Sequence, residues 1–129
     1  MKWLSRELIQ SPIHLCLCCT EKSFSRVLKH LKVPKKDWPN FLGSDGADAT
    51  VHHFENSGKH AAVVCMHKKQ SKDLSRIQKD VLLVHEAVHV WQEIKLIIGE
   101  KYPSSEFEAY SIQSISQALI SAYHEEKSK

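Results

Sequence analysis

Residues 73–99 read DLSRIQKDVLLVHEAVHVWQEIKLIIG, and the period of their apolar positions predicts one long α-helix. Leu74, Ile77, Val81, Val84, Val88 and Trp91 recur at steps of three and four and form one stripe. Leu82, Leu83, Val90 and Ile94 cover other faces, so the middle is apolar nearly all round, the pattern of a helix buried in a core. Gly99 is placed to end it with a left-handed cap. His85, Glu86 and His89 fall in this middle stretch. Two imidazoles and a carboxylate in a buried helix cost free energy unless they are paired or bind a metal.

Working outward, residues 60–66 (HAAVVCM) and 50–55 (TVHHFE) are β-rich runs joined by Asn56-Ser57-Gly58-Lys59, a hairpin signal. His52 and His53 are adjacent, so a strand points them to opposite faces. Residues 34–48 hold Pro34, Pro39, Gly43 and Gly46 and read as a connecting loop. Before it, Thr20 can cap a helix with the stripe Phe24, Val27, Leu28 and Leu31. Ile13, Leu15 and Leu17 alternate with His14, Cys16 and Cys18 as a strand introduced by Pro12. After Gly99, Pro103 and Ser104-Ser105 open a last helix to about residue 125, followed by a short charged tail. The order strand, helix, hairpin, helix, helix predicts an α+β domain. In it a small, mostly antiparallel sheet packs on the buried motif helix and the C-terminal helix.

A length of 129 residues fits one domain, residues 1–129, with one core. Net charge is +3 with the lysines scattered, which gives no reason to expect nucleic-acid binding. No run reaches the ~18–20 apolar residues that span a bilayer. The N-terminal MKWLSRELIQSP carries Lys2, Arg6 and Glu7 and no apolar segment of the signal-peptide kind, so a cytosolic location is expected. There, Cys16, Cys18, Cys19 and Cys65 are expected as reduced thiols, buried in a strand rather than gathered on a metal.

His85-Glu86-Ala87-Val88-His89 has the spacing His-Glu-x-x-His. Residues four apart on a helix share a face, so both imidazoles can reach one Zn2+ ion. Glu86 is turned about 100° from His85 and is free to serve as a general base toward a metal-bound water. A catalytic zinc needs a third protein ligand and an open position. Glu108 and Glu106 are the downstream candidates. Glu108 lies in line with Ile112, Ile115, Leu119 and Ala122, the core-facing stripe, which favours it. The competing role for Glu108 is a capping box with Ser105. Tyr102, Tyr110, His52 and His124 are candidates to donate to an oxyanion.

Residues 60–122, with the motif helix and Glu108-Ala109 on the next helix, resemble the gluzincin branch of the zincin metallopeptidases. The family's usual Asp four residues after that Glu is replaced by Ile112. The pattern that includes Ala49-Thr50-Val51-His52 and 106–113 also resembles small uncharacterised phage and prophage proteins. The resemblance implies a minimal metallopeptidase acting on a peptide or protein, with zinc on His85, His89 and Glu108 and Glu86 as base. It also implies that strand 60–66 lies beside the motif helix with an edge open to a peptide. The alternative is a zinc-binding regulatory or interaction module without turnover.

Overall fold

The computed structural model describes residues 11–44, 46–68 and 74–128. The reading of the N-terminal segment falls almost wholly outside them, as does Asp73, where the long helix was expected to begin. The elements are β1 (Ile13–Cys18), α1 (Glu21–His30), β2 (Thr50–Asn56), β3 (Lys59–Cys65), α2 (Arg76–Ile98) and α3 (Ser105–Lys127), with a short 3-10 turn at Lys35–Asp37. This is the α+β architecture expected.

Local chemistry sets the boundaries. The Thr20 side chain accepts from the Ser23 N–H at the start of α1. Ser75 and Gln78 form a reciprocal capping box at the start of α2, and Gly99, at φ 72°, closes it in the left-handed conformation. Ser104 caps α3 through the Phe107 N–H. Ser57 and Gly58, both at positive φ, make the tight turn between β2 and β3.

The sheet differs from expectation. Its order is β1-β3-β2, so β3 is central, pairing parallel with β1 and antiparallel with β2. The expected open edge on residues 60–66 is therefore absent, and β2 takes that place beside α2. The cause is β1, whose alternation marks a strand without naming its partner.

Register assigns the faces. Leu15, Ala62 and His53 stand in one row across the three strands, and Cys16, Val63 and His52 in the next. The first row belongs to the face that packs on α2 and α3, where Ile13, Leu15, Leu17, Val51 and Val64 meet Leu83, Ala87, Val90, Trp91, Leu119 and Tyr123. The second faces α1, where Val63 and Cys65 meet Phe24, Leu28 and Phe41. Fully buried Leu or Val side chains contribute about 1.5–3 kcal/mol each, against a few tenths from helix propensity. Packing on the sheet, and not propensity, holds α2.

The motif helix is not buried all round. Leu83, Glu86, Ala87, Val90, Trp91 and Ile94 form its covered face. Half of the apolar stripe points outward: Ile77 is 74% exposed, Val81 58% and Val84 36%, and Leu96 joins them at 76%. The sheet covers one side of α2 and α3 a second, while nothing among the described residues covers the third.

All four cysteines are free, with Cys18, Cys19 and Cys65 buried. Thiol titration of denatured, unreduced protein is expected to count four free groups. A stoichiometric disulfide in that assay would contradict the assignment.

Candidate metal centre

His85 and His89 project from the exposed side of α2, one turn apart. Their Nε2 atoms lie 3.2 Å from each other, with ring centroids 4.9 Å apart. Two nitrogens at ~2.0–2.1 Å from one tetrahedral ion stand about 3.3 Å apart, so the pair already has the separation of two ligands on zinc. Gln92, one turn beyond His89, places its Oε1 3.0 Å from His89 Nδ1. An Nδ1–H donated to that amide oxygen leaves the Nε2 lone pair free for a metal. Sequence reasoning missed Gln92, although its spacing of three from His89 was the available signal.

Glu86 is turned the other way and is only 6% exposed. Burial pushes its carboxyl above the usual range, opposed by the nearby His85, His89 and His52. The motif thus splits across the helix surface, with two imidazoles in solvent and a carboxyl in the protein.

Glu108 is not brought to the histidines. It accepts from the Trp91 indole N–H at 2.8 Å and lies 3.5 Å from Lys95 Nζ. The Trp91 hydrogen bond, with Lys95 beside it, holds its carboxyl below the usual range. Trp91 is two residues past His89 and so is turned about 200° from it on the helix. α3 packs on that side of α2, which carries Glu108 away from the His pair. The capping box with Ser105 does not form either, because Ser104 is the cap. Glu106 is exposed at the start of α3. Among the described residues, no three His, Cys, Asp or Glu side chains converge to hold an ion.

Two of the four oxyanion candidates are engaged by other partners, and two are exposed. His52 points to the α1 face, stacked on Phe24 with Nε2 2.9 Å from the Phe41 carbonyl. His124 is paired with Asp80 at 2.8 Å, and Tyr102 and Tyr110 are exposed. His53, which sequence reasoning passed over, is the strand histidine on the α2 side. It lines a cavity of about 160 Å³ with Glu55, His60 and Glu93. Desolvation lowers its pKa, Glu93 opposes that, and His89 adds to it.

The fold and site define an α+β protein that carries a surface His pair over a buried glutamate. No family model, curated protein or solved structure matches the chain.

Proposed function

We propose that this chain is a zinc-dependent hydrolase, a small metallopeptidase of the gluzincin kind acting on a peptide or protein in the bacterial cytosol. The observation that carries it is the 3.2 Å separation of the two Nε2 atoms on a His-Glu-x-x-His helix. His85 and His89 would hold the ion, while Glu108, bonded to Trp91 and Lys95 on the α3 side of α2, is not placed to join them. Zinc bound there supplies a Lewis acid for the scissile carbonyl and lowers the pKa of its water. Glu86 would serve as the general base, taking a proton from the attacking water and returning it to the leaving amine. A carboxyl with a raised pKa suits both halves of that transfer. β2 is an edge strand beside α2 that would offer backbone to an extended chain, with His53 as its histidine on the α2 side of the sheet.

A specific observation favours a second reading, an interaction module that uses the same metal. The uncovered apolar residues Ile77, Val81 and Leu96 lie on the same exposed side of α2 as the His pair. One experiment separates the two. Protein purified without chelator should contain one zinc per chain and cleave an unfolded protein substrate, with loss on chelation and recovery on adding zinc. Stoichiometric zinc with no turnover on diverse peptides favours the module, and a chain that binds no zinc overturns both.

A further inference from the structure

His85 and His89 stand in the middle of an exposed helix face whose composition is unlike that of a free surface. Between Ile77 and Leu96 the outward positions of α2 carry Ile, Gln, Val, His and Leu, with no Asp, Glu, Lys or Arg among them. Charged residues of this stretch turn to its covered sides instead: Asp80 to His124, Lys95 to Glu108, and Glu93 to the cavity beside His53. α1 shows the ordinary pattern, with Glu21, Lys22, Arg26 and Lys29 on its outward face. An exposed apolar strip free of charges has the composition of an interface core.

The metal centre on this strip is also incomplete within one chain. Zinc favours four ligands in a tetrahedron. The pair offers two nitrogens 3.2 Å apart, and among the described residues no third His, Cys, Asp or Glu joins them. Both imidazoles are exposed, so the ion's remaining positions face away from the chain that holds it. A second copy brings the same two nitrogens.

The strip is nearly symmetric about the pair. Ile77 lies eight residues before His85 and Leu96 seven after His89, while Val81 lies four before and Gln92 three after. Two copies crossing antiparallel about a two-fold axis at the pair therefore place Ile77 of each near Leu96 of the other. Such self-complementarity is what an isologous contact requires.

We propose that a zinc ion joins two copies of this chain through His85 and His89 of each. The inference rests on the zinc binding proposed above for this pair, and it names the partner. Area decides that the metal is needed. A helix strip from Ile77 to Leu96 is ~28 Å long and ~10 Å wide, or ~300 Å², against the ~800 Å² per partner of a stable interface. Helix contact alone thus leaves monomers, and the ion closes the dimer. Four imidazoles leave no position for water, so the dimer is the resting form of the hydrolase. It forms while zinc is limiting, and excess zinc gives each chain its own ion.

Sedimentation velocity during a zinc titration tests this. Chelator-stripped protein is expected as a monomer, with dimer rising to a maximum at half an equivalent of zinc and reversing with EDTA. His85→Ala should remain monomeric at every ratio. Val81→Glu combined with Leu96→Glu alters two exposed positions, so it should keep the parent's melting temperature and its zinc. It should nevertheless need roughly ten-fold more protein to dimerise, because it buries charge in the contact. Zinc bound to a protein that stays monomeric at half an equivalent overturns the bridge and leaves the metal centre standing. A chain that binds no zinc overturns both. A dimer that persists in chelator, or one indifferent to the double Glu variant, equally overturns the proposal.

Discussion

Glu86→Gln is expected to give a folded protein that still binds zinc but hydrolyses substrate at a rate lower by roughly 10²–10⁴-fold, the usual contribution of a general base. The amide is nearly isosteric with the carboxyl and carries no proton-accepting charge. Stability should not suffer. Burial raises the carboxyl's pKa, which means that the folded state disfavours the ionised form. Ionisation above that pKa therefore costs the folded state, and the neutral amide avoids the cost as pH rises. Thermal melts at neutral pH should place the variant at or above the parent. Chemistry and folding are thereby separated in one substitution. Equal hydrolysis rates in parent and variant would leave Glu86 without a catalytic role.

His85→Ala and His89→Ala should each empty the metal site. Loss of a group that only orients a ligand costs about 10–100-fold in metal affinity, and loss of a ligand itself should exceed that. Gln92→Ala belongs to the milder class, because it bonds His89 Nδ1 and leaves both Nε2 atoms in place. Both histidines are exposed, so their removal should barely move the melting temperature of the metal-free protein. This distinguishes ligand loss from unfolding. Glu108→Ala is the informative companion. As a ligand it should lose zinc like the histidines, whereas a carboxylate that only holds Trp91 and Lys95 should affect stability alone. Glu106→Ala should change little. Competition with a chelating dye across the set reads all of these, and full zinc occupancy in the His85→Ala/His89→Ala double variant would move the metal elsewhere.

Much of the fold was legible because it rests on local rules. The alternation over 13–18, the Thr20 cap, the hairpin turn and the left-handed Gly99 each follow from neighbours in the chain. Non-local pairing was not legible. Nothing in IHLCLC states that it will lie parallel to β3, and that pairing is what moved the open edge from β3 to β2. The exposure of α2 was hidden for a related reason. Periodicity showed apolar residues on several faces, but not that the described residues would cover only two of its sides. At the site, the His pair came from spacing alone. The position of Glu108 depended on which side of α2 the returning helix takes, and the value of His53 over His52 depended on which sheet face meets α2. Both are decided by packing.

The central position of β3 also has a consequence for a chain made from its N-terminus. β1 emerges early, but its parallel partner follows only after α1, the loop and β2 have been synthesised, since Ile13 waits for His60 and Cys18 for Cys65. Over that interval the backbone donors and acceptors of IHLCLC have no sheet to join, and an unpaired apolar strand is an invitation to foreign pairing. α1 follows directly and can lay Phe24 and Leu28 against Cys18 before the sheet exists. The nascent chain thus carries its own first cover for the strand that must wait longest.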